Sequence, residues 1–313
     1  MQALLTIVTK VAVMLIMIAV GYLVTKRGMF TERGASEVTS LLIKIVTPCL
    51  IVSSFLSAGD DLKPMEMLLS VAISTLSIVI SIGMSLLTFR KEPEGRKKVL
   101  RFAVIFSNVG FMGIPLVQGI VGDKGVIYGS FFIAVFNLIC WTYGYRMMSG
   151  QGKLSLKTAL LNPGMIGLIF GLPIYFLKIP VPAVVAEPIN FFSGLNTPLA
   201  MIVIGSYIAR VDIRSFVSDV SVYKMAALRL LAAPAVFFLF LLLIRPEPDL
   251  FISSAIQASC PVAANTVLFA VQYHCDSELA SKTVAVSTLL SILTIPVFTV
   301  LAQVACAMLG LAV

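Results

Sequence analysis

The residues of this chain that could do chemistry sit inside apolar stretches. Residues 107–116 read Ser-Asn-Val-Gly-Phe-Met-Gly-Ile-Pro-Leu, which gathers Asn108, Gly110, Gly113 and Pro115. Residues 257–265 bring Gln257, Pro261 and Asn265 together in the same way. A proline lacks an amide hydrogen and its ring clashes with the carbonyl four residues back, so each stretch predicts a broken helix. In hydrocarbon the freed backbone groups are tolerated only where protein buries them or where they line a polar cavity. A kinked helix packed through glycines is the plain alternative, but the interruption recurs in both halves of the chain. Proline suits the first position of a helix, so Pro115 and Pro261 are each expected to open a half-helix. Such N-termini carry partial positive charge and unpaired amide donors, which suit a carboxylate. Asn108 and Asn265 add neutral donors and acceptors; they either contact a ligand or satisfy the backbone of the breaks.

Three cationic residues also fall within apolar segments: Lys10, Lys44 and Arg229. Lys10 and Arg229 stand about two turns from a segment end, close enough to snorkel to the interface. Lys44 is nearer the middle, one turn before Thr47-Pro48. A lysine at that depth costs roughly 2.5–3.5 kcal/mol on insertion scales and needs a partner or water. Two roles are open to it: contact with an anionic substrate, or capping of helix-end carbonyls. Thr47, Asn196 and Gln257 are further polar candidates in mid-segment.

These residues must be positioned by membrane-spanning helices. The 313 residues are 59% hydrophobic and only 12% charged, which excludes a soluble globular domain. Apolar segments run near 4–25, 34–57, 65–89, 99–121, 125–148, 157–177, 184–209, 219–244, 250–273 and 280–310, with the first expected to be a retained span. The net charge of +8 does not point to nucleic acid, because the basic residues occupy short loops. Lys63, Lys124, Lys178 and Arg245 stand singly in four loops, while the alternate loops hold about 16 Lys and Arg, with the richest run at Arg90–Arg101. The positive-inside rule then places both termini outside the cell and that run in the cytoplasm. Five spans per half make 1–150 and 151–313 candidates for an inverted repeat, with Thr47-Pro48 matching Thr197-Pro198 and Pro115 matching Pro261. The five cysteines lack metal-ligand spacing, so no metal, cofactor or disulfide framework is expected.

Asn108–Leu116, the run Thr197-Pro-Leu-Ala-Met-Ile-Val-Ile-Gly205 and the stretch from Cys260-Pro261 to Tyr273 resemble the auxin efflux carrier family, which includes plant PIN carriers and bacterial malonate or malate carriers. The long cytoplasmic loop of many plant members is replaced here by residues 149 to 157, as in a compact bacterial form. The resemblance implies an all-α fold of ten transmembrane helices, like that of the bile acid symporters, with helices 4 and 9 broken and crossing. A mobile core of helices 3–5 and 8–10 would move against a scaffold of helices 1, 2, 6 and 7, with Asn108 at the crossing between Pro115 and Pro261. A pairing of two copies through the scaffold is compatible with this arrangement.

The expected function is therefore elevator-type transport of a small organic anion, such as a mono- or dicarboxylate or an auxin-like acid, across the inner membrane. An inside-negative potential contributes about 2.3 kcal/mol per charge per 100 mV, so export of an anion needs no coupling ion. No carboxylate is read at mid-span depth, which favours efflux or facilitated transport over the alternative, a sodium- or proton-coupled symporter. A membrane sensor on the same fold is a third reading. An enzyme is disfavoured, because no catalytic pair or metal cluster lies at depth.

Overall fold

The computed structural model describes residues 2–57, 63–150, 163–210 and 219–311. Among them all regular structure is helical. The helices are α1 (Gln2–Lys26), α2 (Glu32–Ser57), α3 (Pro64–Leu87), α4 (Glu94–Ile105), α5 (109–120), α6 (Asp123–Ser149), α7 (Pro163–Phe176), α8 (Ala183–Arg210), α9 (Val220–Ile244), α10 (Pro248–Ser259), α11 (Asn265–Gln272) and α12 (Ser277–Met308). Six of these, α2, α3, α6, α8, α9 and α12, are long and apolar enough to cross a membrane by length and composition. The most apolar of them, α9, has mean hydropathy 2.5, yet only 33% of its apolar window is buried by protein. The rest of its apolar surface requires lipid.

Polarity is turned inward. Along α3, Ser70, Ser74, Ser77, Ser81 and Ser85 are buried, while Met65, Leu68, Val79 and Leu87 face out. The hydroxyls bond within the protein: Ser70 Oγ donates to the Tyr128 carbonyl at 3.1 Å, and Ser74 and Ser81 donate to carbonyls one turn back. A buried hydroxyl without such a partner would be unfavourable in hydrocarbon.

Three of the four π-helical turns among the described residues precede a proline. Leu42–Val46, Val109–Gly113 and Leu228–Ala232 each end two residues before a proline, respectively Pro48, Pro115 and Pro234. Widening the helix by one residue removes the clash between the proline ring and the preceding turn while keeping the helix continuous. Pro115 thus does not open a half-helix. It is buried as the second residue of the α-helical part of α5, behind the π turn. The chain is interrupted earlier, over Phe106, Ser107 and Asn108.

Contacts sort the helices into two sets. α1 packs chiefly on the 196–210 part of α8, and the second half of α2 packs on α7 and on the start of α8. α3, α4, α6, α9, α10 and α12 pack chiefly among themselves. In the first set, a Cβ on Gly21 would strike the Ile202 carbonyl, and one on Gly205 would strike the Ile18 carbonyl. Only glycine permits this backbone approach. Of Lys10 only the backbone, within α1, is described; residues 151–162 lie outside the described residues.

Candidate functional site at the helix crossing

The two interrupted helices meet back to back. Cys260 precedes a proline and is held extended, which ends α10 at Ser259. Phe106 is likewise extended after α4. The two peptides pair antiparallel: the Asn108 amide donates to the Pro261 carbonyl at 2.7 Å, and the Ala263 amide donates to the Phe106 carbonyl at 2.9 Å. The Val262 amide, pointing the other way, donates to Ser287 Oγ of α12 at 3.1 Å. The backbone of the break is thus satisfied inside the protein, as an apolar environment demands. Pro261 lies in this extended peptide, four residues before Asn265 opens α11, so neither proline heads a half-helix as the sequence suggested.

A small cavity adjoins Asn108. Its walls include Val203, Ile204 and Tyr207 of α8, Ala264 just before α11, and Val284 and Thr288 of α12. It lies where the two helix sets face each other, mostly apolar with a few polar atoms and, among the described residues, no charged side chain in its lining. Tyr207 Oη stands 3.4 Å from Thr39 Oγ1 on α2.

The other candidates disperse around this centre. Gln257 is buried in α10, with Oε1 unpartnered among the described residues. Two glycines make room for it: a Cβ on Gly129 would come within 2.5 Å of its Nε2, and one on Gly113 within 3.4 Å of its Cγ. Gly110 has open space beside it. Asn265 bonds to the Cys140 thiol on α6. Asn196 is buried in α8, with Nδ2 unpartnered among the described residues. Thr47 Oγ1 donates to the Leu42 carbonyl at 2.9 Å, which caps the π turn of α2, while Lys44 on that turn is exposed.

Arg229 overturns its sequence reading. It does not snorkel: only 2% of it is exposed, and its guanidinium reaches the crossing from the π turn of α9. One nitrogen donates to the Val104 carbonyl at 3.0 Å and lies 3.4 Å from that of Ile105, at the C-terminus of α4. The other donates to the Ala258 carbonyl, at the C-terminus of α10. Its planar fork suits this bridging.

Two ionic clusters stand at the ends of the broken helices. Arg96, at the start of α4, meets Asp219 at 2.6 Å, Glu92 at 3.2 Å and Asp276 at 3.7 Å. Burial pushes the Asp219 carboxyl up, but Arg96 outweighs this and holds it below its ordinary value. Beyond the far end of α5, Lys124 meets Glu247 at 2.7 Å and Asp249 at 3.5 Å.

Helices of this length and apolarity, with much apolar surface uncovered by protein, define a multi-pass membrane protein. The sequence matches the membrane transport protein family over residues 6–159 and 151–299, and the chain belongs to that family, the one of the auxin efflux carriers. It is 26% identical over 294 residues to an "Uncharacterized transporter" of Methanothermobacter thermautotrophicus, covering 91% of this chain and 95% of the relative. A second "Uncharacterized transporter", from Methanocaldococcus jannaschii, is 24% identical over 298 residues, with the same coverage. A protein of Rhizobium meliloti named "Putative malonate transporter" is 23% identical over 230 residues, 70% of each chain.

Proposed function

We propose that this chain is a secondary transporter of a small organic anion, bound beside the crossing in the cavity next to Asn108. The observation that carries this reading is the back-to-back pairing of Phe106–Asn108 with Pro261–Ala263, from which α5 and α11 both start. Their N-terminal ends carry partial positive charge, and Asn108 supplies a polar side chain between them. The cavity lies between the two helix sets, which suits a site carried by a core of α3–α6 and α9–α12 past a scaffold of α1, α2, α7 and α8. In this reading the halves 1–150 and 151–313 are inverted repeats of five spans, with both termini outside the cell. The direction of transport is outward or down the gradient, since the membrane potential expels anions.

The test is exchange in proteoliposomes loaded with unlabelled malonate, a dicarboxylate named for one relative. Saturable uptake of radiolabelled malonate, accelerated by the internal pool, is expected. No protein-dependent exchange with malonate or with other mono- and dicarboxylates would contradict the reading.

A further inference from the structure

We propose that Arg229 sets the electrostatic sign of the crossing and so makes the cavity select anions without touching them. This inference rests on the anion-transport reading above. Four helix ends converge at the crossing: the C-termini of α4 and α10 and the N-termini of α5 and α11. Each C-terminus carries about −0.5 charge and each N-terminus about +0.5, so the four ends together sum to about zero. A carboxylate approaching them would gain from two ends and lose to the other two. The Arg229 guanidinium lies on the two unfavourable ends, donating to the carbonyls of Val104 and Ala258. One full positive charge against two half-charges of the opposite sign leaves the N-termini uncompensated.

Burial makes the effect long-ranged. Arg229 is 2% exposed, and a charge in low-dielectric surroundings is poorly screened. Its hydrogen-bond partners are carbonyl dipoles rather than a carboxylate, so the net charge is not cancelled locally. Among the described residues the cavity lining beside Asn108 contains no charged side chain, which leaves Arg229 as the specificity-determining cation held behind the site.

The test reads the potential directly, independently of which substrate is carried. A cysteine is placed at Ala264, in the cavity wall, in a full chain whose native cysteines are replaced by alanine. Its modification rates by an anionic sulfonate and a cationic trimethylammonium methanethiosulfonate are compared at pH 8, each relative to a free thiol. The anionic reagent is expected to be favoured when Arg229 is present. Arg229→Gln should lower the anionic-to-cationic ratio by about tenfold or more, and Arg229→Lys should keep it. If Arg229→Gln does not fold, Arg229→His serves, because a neutral histidine at pH 8 retains one donor for the carbonyls. An unchanged ratio in a folded neutral variant, or no anionic preference in the parent, would overturn the proposal. Malonate exchange measured on the same proteins separates the two claims. Exchange with an insensitive ratio sinks the role of Arg229 alone, whereas a sensitive ratio without exchange of any carboxylate sinks the transport reading.

Discussion

The Asn108 amide and the Pro261 carbonyl lie 2.7 Å apart and join two helices that are far apart in sequence. Proline has no amide to offer, but its carbonyl is a full acceptor, so the bond uses what the residue retains. The bond also leaves the Asn108 backbone fixed by something other than its own side chain. Replacing Asn108 by Ala should therefore preserve the fold while weakening anion binding roughly 10- to 100-fold, the worth of one hydrogen bond to a charged group. Malonate exchange kinetics and thermal unfolding in detergent check both halves. Wild-type exchange by a stable Asn108→Ala protein would remove the side chain from the site.

Gly205→Ala places a methyl group against the Ile18 carbonyl and 2.7 Å from the Tyr22 amide. Neither backbone can yield without separating α1 from α8, so a loss of about 1–3 kcal/mol is expected. Unfolding measurements that found the variant as stable as its parent would contradict this packing.

The π turn of α2 carries Lys44 and is followed directly by Thr47. Thr47→Val removes the donor to the Leu42 carbonyl and should cost about 1 kcal/mol. Lys44→Met, on the exposed face of the same turn, should not lower stability, since it removes a charge whose insertion costs about 2.5–3.5 kcal/mol. The reverse order of the two effects would assign the capping to Lys44.

How far the sequence leads is visible in particular residues. Apolar length and loop charge are enough for a helical membrane protein, because hydrocarbon leaves the backbone few alternatives. Pro261 marks its break correctly, since the residue before a proline is forced out of the helical region. Pro115 misleads: the same steric rule is satisfied by a π turn, and the true break falls at Phe106–Asn108. No local rule forecasts that break, because its partner is the Pro261–Ala263 peptide. Arg229 escapes the sequence for the same reason, since depth along a helix says nothing about which carbonyls lie opposite.

The Arg96 cluster gives a pH dependence. Asp219 is held below its ordinary value, so its contribution to stability is complete above the unfolded carboxylate pKa of about 3.9 and is lost as pH falls through the folded value. Asp219→Asn should thus be less stable than its parent at pH 7, and the gap should close below about pH 4. A gap in unfolding midpoint that is constant from pH 7 to 3 would show that the charge of Asp219 is not what matters.

The most direct test concerns movement of the crossing past α8. Cysteines at Ala264, beside the crossing, and at Ile204, on α8, face one cavity. Bridging them with a thiol-specific cross-linker should stop malonate exchange, and a cleavable linker should restore it on reduction. Exchange at the uncross-linked rate in fully bridged protein would contradict a site that travels against a fixed scaffold.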